Sequence, residues 1–483
     1  MIVSNINSLS SYLPELMILV MILVTFLYES IKSYRKYVFP LLCFGMISVS
    51  LLLYFSSPSQ FRIFEGMLVN DSLSIFLKWV IIISTFSIIL ISKNDNSILK
   101  DIKNEYYAML LIILLGMFAM VSATNLLMVY LAIEMVSIPS YIISGISKDD
   151  KESNEAALKY VIFGSFASGI MLFGLSFIYG LTGSTDIYFI ADSLSQTDNQ
   201  LLLYTSMIFV LVGFGYKISM VPFHYWTPDV YQGAPITVTA FLSVAPKAAG
   251  FAIMIRFFYS IFVIDGSPSV DWPNIIAIFS ALTMTIGNIL ALKQNNIKRL
   301  LAYSSISHVG FMLIALSIVS IDSITSILFY LVFYMFMNLS AFFVAIYMSN
   351  EYDANNIEDW NGIGLKVPFI SIFMVLSLAS LAGLPPTSGF IGKVYVLRNL
   401  FSESQFLWLG IIAIINTVIS LYYYFKIVKS MYFIENESLE IKEADRVLTI
   451  IIVLFSSQNI LFYFYWSSLW DYLKNLIINM NLI

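Results

Sequence analysis

The chain has 483 residues, of which 59% are hydrophobic and only 11% charged, with a mean hydropathy of +0.85. Soluble domains carry roughly 25% charged residues, so this composition excludes a water-soluble globule and points to an all-α polytopic membrane protein. A net charge of −5, with basic residues scattered through short loops, excludes a nucleic-acid-binding surface, and the single cysteine, Cys43, excludes an intrachain disulfide or an iron–sulfur cluster of about four thiolates.

The amino-terminal MIVSNINSLSSYLPEL has no positive n-region and runs straight into apolar sequence, so it is expected to be retained. Apolar stretches near the about 20 residues that cross a bilayer then follow at 12–29, 38–56, 71–92, 106–124, 125–146, 157–181, 201–224, 234–263, 273–292, 300–320, 325–348, 367–396, 406–431 and 447–470. These are helices 1 to 14. They group as helices 1–3 (1–105), helices 4–8 (106–263), helices 9–13 (273–431) and helix 14 (447–483). The tightest junction is SATN at 122–125, where helices 4 and 5 meet almost without a loop.

Charge placement tests this count, because Lys and Arg in short loops favour the cytoplasmic side. With the amino terminus outside, the inner loops and helix ends hold sixteen basic residues: Lys32, Arg35, Lys36, Lys93, Lys100, Lys103, Lys148, Lys151, Lys293, Lys298, Arg299, Lys366, Lys426, Lys429, Lys442 and Arg446. The outer side holds three, Arg62, Arg398 and Lys474. A miscounted helix would invert the bias downstream of it, so both termini are expected outside.

The longest polar segments are GSTDIYFIADSLSQTDNQ, SNEYDANNIEDWNGIG and ENESLEIKEADR, each too short to fold as a domain. No phosphate-binding G-x-x-x-x-G-K-[ST] or G-x-G-x-x-G occurs, since GFGYKI and GIGLKV lack the third glycine. An ion gradient or a partner must therefore drive whatever the chain does.

Six basic residues remain inside the spans: Lys78, Lys159, Lys217, Lys247, Arg256 and Lys393. Glu134 is the clearest buried acid, and His224 and His308 lie near helix ends. A charge at the bilayer centre costs roughly 3 kcal/mol on insertion scales and commonly marks an ion path. Lys78, Lys159 and Arg256 lie close enough to helix ends for snorkelling or structural pairing to compete with that reading. Lys217, Lys247 and Lys393 lie deep or beside helix-breaking residues, and Glu134 has no easy reach to water.

Helix 7 carries one such break. Pro222 lacks an N–H and clashes with the carbonyl four residues earlier, which predicts an interruption around Ile218–Pro222 and unpartnered carbonyls beside Lys217. In lipid such a gap needs protein or water to fill it, so a wet cavity is expected there. His224, about 10.5 Å from Lys217 along a continuous helix, is either a relay toward the cytoplasm or an interfacial side chain beside Tyr225 and Trp226. Helix 12 repeats the device, with Pro385, Pro386, Gly389 and Gly392 before Lys393. The odd offset of five helices makes the two breaks antiparallel, as in inverted-topology repeats, here helices 4–8 and 9–13.

The segment KISMVPFHYWTPDVYQGAPITVTAFLSVAPKAAGFA at 217–252, with NLLMVYLAIEMVSIPSYII, LLAYSSISHVGFMLIAL and LAGLPPTSGFIGK, closely resembles the antiporter-like membrane subunits of respiratory complex I. Among them the chain is most similar to the subunit N group of bacterial NADH–quinone oxidoreductase, counterpart of mitochondrial subunit two, because Lys393 stands where subunit M has a glutamate. One departure is visible: the family pattern GAPTPVTAF reads GAPITVTAF here, placing Thr237 at a proline position at the start of helix 8.

The resemblance implies a pair of Glu134 with Lys217, and a hydrated axis continuing through Lys247 to Lys393. His224 and Lys159 become candidate cytoplasmic intake residues, and His308 a candidate for the central path. It further implies an H+-translocating role without a redox centre in this chain, with flavin, iron–sulfur clusters and quinone in partner subunits. Those partners are the antiporter-like subunit M, the small membrane subunits and, indirectly, the hydrophilic redox arm, in the bacterial inner membrane. Two alternatives stay open: a subunit of a multisubunit sodium/proton antiporter, and a scaffold whose charges pair only for assembly.

Overall fold

A computed structural model describes residues 5–58, 61–194, 199–264, 266–402, 404–435, 442 and 445–480. Most of ENESLEIKEADR, and residues 195–198 of the segment after helix 6, lie outside the described residues.

The expected helices are present, with ends that move by a few residues. They are helix 1 (Leu13–Ser30), helix 2 (Val38–Tyr54), helix 3 (Ser72–Ser92), helix 4 (Lys103–Ser122), helix 5 (Leu126–Ser144) and helix 6 (Lys151–Thr182). There follow helix 7 (Gln200–Ile218), helix 8 (Ile236–Phe262), helix 9 (Trp272–Leu292), helix 10 (Ile297–Leu316), helix 11 (Ile321–Tyr352), helix 13 (Leu407–Phe433) and helix 14 (Arg446–Ile478). Among the described residues these thirteen are long and apolar enough to cross a membrane. The fourteenth expected span, helix 12, is divided into Pro368–Ala382 and Ser388–Ser402, each of 15 residues, which is why it does not count as one long helix.

The SATN junction holds without a loop because its backbone is used elsewhere. Ala123 bridges to Leu68 and Asn125 to Asp186, while the Asn125 side chain caps helix 5 by accepting from the Leu127 N–H. Helix 6 runs longer than expected because Asp150 caps its start and Gly183, in the left-handed region at φ +67°, ends it.

Helix 7 departs from the expected 201–224 and stops at Ile218. Ser219 adopts φ +66°, and the Met220 N–H reaches the Gly215 carbonyl at 2.7 Å, closing a Schellman-type end. The chain passes through the Val221–Pro222 peptide and resumes as a short helix, Trp226–Gly233. Helix 12 is interrupted by the same construction: Gly383 at φ +83°, a Leu384 N–H to Ala379 carbonyl bond of 3.0 Å, and then Pro385–Pro386. His224 consequently does not stand on a continuous helix with Lys217, and the axial spacing expected for that pair does not apply.

Helices 8, 10 and 11 form the centre and are buried along almost their whole length. Helices 7 and 8 approach closely at Gly250, where a Cβ would lie 2.6 Å from Ile218 Cγ2. Helices 1, 2, 6, 13 and 14 form the rim, and large apolar side chains such as Phe166, Val418 and Phe464 point outward as a lipid-facing belt requires.

Candidate functional site

Glu134 lies in the third turn of helix 5 and Ser137 three residues beyond it. Lys217, in the last turn of helix 7, is buried and donates from Nζ to Ser137 Oγ at 3.1 Å. The ammonium thus sits at the carbonyl end of a helix, where the backbone dipole favours positive charge. No ion pair within 4.0 Å joins Glu134 to Lys217 among the described residues. Glu134 Oε1 is buried without a hydrogen-bond partner, and so is His224 Nδ1 in the break that follows Lys217.

The central cluster surrounds Lys247, which follows Pro246 in helix 8 and is 0% exposed. Its Nζ donates to Ser305 Oγ at 2.7 Å and lies 5.8 Å from the Tyr231 ring centroid. One turn along helix 10, His308 is held by two phenols: Nδ1 to Tyr330 Oη at 2.7 Å and Nε2 to Tyr424 Oη at 3.2 Å. Tyr424 also bonds Ser304, and the Tyr334 ring lies 5.5 Å from the imidazole. Helices 8, 10, 11 and 13 therefore converge on one buried polar cluster.

Lys393 belongs to the second half of helix 12, and its Nζ donates to the carbonyls of Leu381 at 3.0 Å and Ala382 at 2.8 Å. These are carbonyls that the helix break leaves without backbone donors. The Phe311 ring lies 5.1 Å from the amine. Both lysines stand beside a helix break, Lys393 bonded to the carbonyls of its own break and Lys217 to a hydroxyl of a neighbouring helix.

The three remaining cations pair with carboxylates. Lys78 meets Glu15 at 2.6 Å with both side chains almost wholly buried, and Arg256 meets Asp71 at 2.8 Å. Lys159 reaches Asp229 at 2.6 Å and Glu155 at 2.7 Å, and Arg299 takes the other oxygen of Asp229 at 2.6 Å. Burial pushes the Asp229 carboxyl up, but Lys159 and Arg299 outweigh it and hold the group below its ordinary range. Sequence reasoning missed Ser137, Ser305, Tyr330 and Tyr424, because serine and tyrosine cost little at membrane depth and carry no charge to betray them. Thr237, at the proline position of the family pattern, donates to Asp95 Oδ2 at 2.6 Å, and helix 8 begins regularly at Ile236 after Pro235.

The profile of the family described as NADH:quinone oxidoreductase/Mrp antiporter, TM, matches residues 123–420. NADH-quinone oxidoreductase subunit N 2 of Chloroherpeton thalassium is 42% identical over 443 residues, covering 89% of this chain and 86% of its own. Subunit N of Anaeromyxobacter sp. is 38% identical over 456 residues, 89% of this chain and 88% of its own. A chain of respiratory complex I from Thermus thermophilus superposes with a TM-score of 0.79 at 25% identity, covering 95% of this chain and 98% of that one. A chain of the Mrp complex from Dietzia sp. reaches a TM-score of 0.82 at 19% identity, over 98% of this chain and 97% of that one, a likeness of fold alone.

Proposed function

Because the chain belongs to the NADH:quinone oxidoreductase/Mrp antiporter family, in the group of NADH-quinone oxidoreductase subunits N, we propose that it is the proton-translocating, non-redox membrane subunit N of complex I. Flavin, iron–sulfur clusters and quinone then reside in partner subunits, and the nearest neighbours are subunit M and the small membrane subunits. The sodium/proton antiporter alternative has less support, since the curated relatives at up to 42% identity are named as subunits N. The sixteen-to-three charge bias supports a bacterial inner-membrane orientation with both termini outside, and the matched breaks of helices 7 and 12 support inverted repeats of helices 4–8 and 9–13.

The observation that carries this reading is that Lys217, Lys247 and Lys393 are each buried and held by hydroxyls or carbonyls, not by carboxylates. An amine in such a setting has no permanent countercharge, and desolvation disfavours its charged form. A carboxylate brought closer restores the charged form, so a small movement of Glu134 toward or away from Lys217 makes the lysine take up or release a proton. Quinone reduction elsewhere in the complex supplies that movement. Lys217 hands its proton to Lys247; Ser305, His308 and the two phenols bridge toward Lys393, which discharges it to the outer side. Lys159 and His224 belong to the cytoplasmic intake.

The test is Lys217→Ala in the assembled complex, with protons counted per electron. A reduced ratio is expected, and a full ratio at normal assembly removes Lys217 from the path.

A further inference from the structure

We propose that Arg256, clamped by Asp71, is a fixed-charge barrier at the outer end of helix 8, which keeps protons at Lys247 from leaving directly and sends them sideways toward Lys393. The inference rests on the proton-pumping reading above. Arg256 lies nine residues beyond Lys247 on helix 8, roughly 13–14 Å along its axis at about 1.5 Å per residue. Its side chain is 1% exposed. Nη1 and Nη2 donate to Asp71 Oδ2 at 2.8 Å and Oδ1 at 3.0 Å, and Nη2 also donates to the Val121 carbonyl at 3.1 Å. One guanidinium thereby joins helix 8 to the cap of helix 3 and the end of helix 4. Its Nε is buried without a hydrogen-bond partner.

A guanidinium stays protonated at any working pH, so it cannot relay a proton as a lysine can, and its charge repels one. Burial raises the Asp71 carboxyl, but Arg256 and the Ser74 donors hold it below the ordinary carboxylate range, so it does not relay either. A hairpin just before Asp71 in the chain adds a second set of contacts at these helix ends. The hairpin Arg62–Ile63 with Leu68–Val69 is pinned across the helix ends by Thr124, whose N–H reaches the Met67 carbonyl at 3.0 Å and whose hydroxyl reaches Gly66 at 2.8 Å. Arg62 and Asp186 pair beside it. On the same face, beyond Lys393 along helix 12, a cavity of about 420 Å³ is lined by Ser320, Asp322, Arg398, Asn399, Ser402 and Lys474, with Lys474 paired to Asp322. Asn399, six residues beyond Lys393, binds Ser326 Oγ at 2.6 Å at the inner edge of that cavity.

The test is passive proton permeability of proteoliposomes carrying the whole complex, with electron transfer blocked. Arg256→Gln and the neutral pair Arg256→Gln/Asp71→Asn, which keeps amide hydrogen bonds, are expected to leak several-fold faster than wild type, while Arg256→Lys stays close to it. Wild-type permeability in an assembled neutral variant overturns the barrier. So does failure of both neutral variants to assemble while Arg256→Lys assembles, which assigns the pair to folding. Because no turnover is involved, the readout stands apart from the Lys217→Ala test: leak without pumping loss, or the reverse, separates the two ideas.

Discussion

The ammonium of Lys217 rests on the hydroxyl of Ser137 at 3.1 Å, and Ser137 stands one helical turn from Glu134. A hydroxyl oxygen accepts an N–H from an ammonium and from a neutral amine alike, so it tolerates both states of the lysine. Ser137 meanwhile donates to the Ile133 carbonyl at 2.7 Å, which fixes its lone pairs toward Lys217. A carboxylate in that place would hold the charge permanently, at about 4 kcal/mol for charges 4 Å apart at an effective dielectric constant near 20. Keeping Glu134 nearby but unpaired leaves that energy free for use as a switch.

Ser137→Ala is accordingly expected to slow turnover without loss of assembly. Hydrogen bonds to charged groups contribute about 1.5–3 kcal/mol, so the protonated lysine should become roughly tenfold or more harder to form. Ser137→Thr retains the hydroxyl and should stay near wild type. NADH:quinone turnover and protons per electron, normalised to assembled complex, decide it, and unchanged turnover in the alanine variant would exclude the hydroxyl.

His308 should act as one unit with its phenols. It is gripped on both ring nitrogens, by Tyr330 at 2.7 Å and Tyr424 at 3.2 Å. Residues sharing a hydrogen-bond network couple by about 0.5–3 kcal/mol in double-mutant cycles. His308→Leu combined with Tyr424→Phe should therefore slow turnover no more than the worse single variant. Strictly additive losses would mean that the imidazole and the phenol serve separate steps.

Much of this arrangement was legible in the sequence because membranes punish charge and broken helices so heavily. Lys217, Lys247 and Lys393 declared themselves by depth, and Pro222 and Pro385–Pro386 located both interruptions. What stayed hidden were distances between helices far apart in sequence. Nothing local to Lys217 indicates that it chooses Ser137, 80 residues away, over the carbonyls of its own break. Nor does spacing reveal that Lys78 and Arg256 meet Glu15 and Asp71 instead of snorkelling; those partners are fixed by how helices 1, 3 and 8 pack.

The helix-12 break depends on one absent side chain. A Cβ on Gly389 would fall 1.9 Å from the Ser380 carbonyl oxygen, while the Gly389 N–H donates to Ser380 Oγ at 3.1 Å. Gly389→Ala must push the two halves apart, and overpacking of this kind costs about 1–3 kcal/mol or more. Complex yield should fall sharply. Gly180→Ala on helix 6, where the added methyl meets nothing within 4 Å, is the control and should assemble normally.

Asp229 ties helix 6 to helix 10 across the chain's first break, with Lys159 on one oxygen and Arg299 on the other, each at 2.6 Å. Its carboxyl is held below its ordinary value of 3.8. A depressed carboxyl contributes stability that is fully present above the unfolded value and is lost as pH falls through the folded one. The contribution is therefore constant across the neutral range. Partly exposed ion pairs are worth about 1 kcal/mol or less each, so Asp229→Asn should lower the thermal midpoint slightly at neutral pH. The gap to wild type should close in acid, because the wild-type carboxyl becomes as neutral as the amide. Thermal unfolding of both proteins on either side of that transition measures it, and a gap of equal size in acid and at neutrality would mean that Asp229 stabilises the fold by something other than its charge.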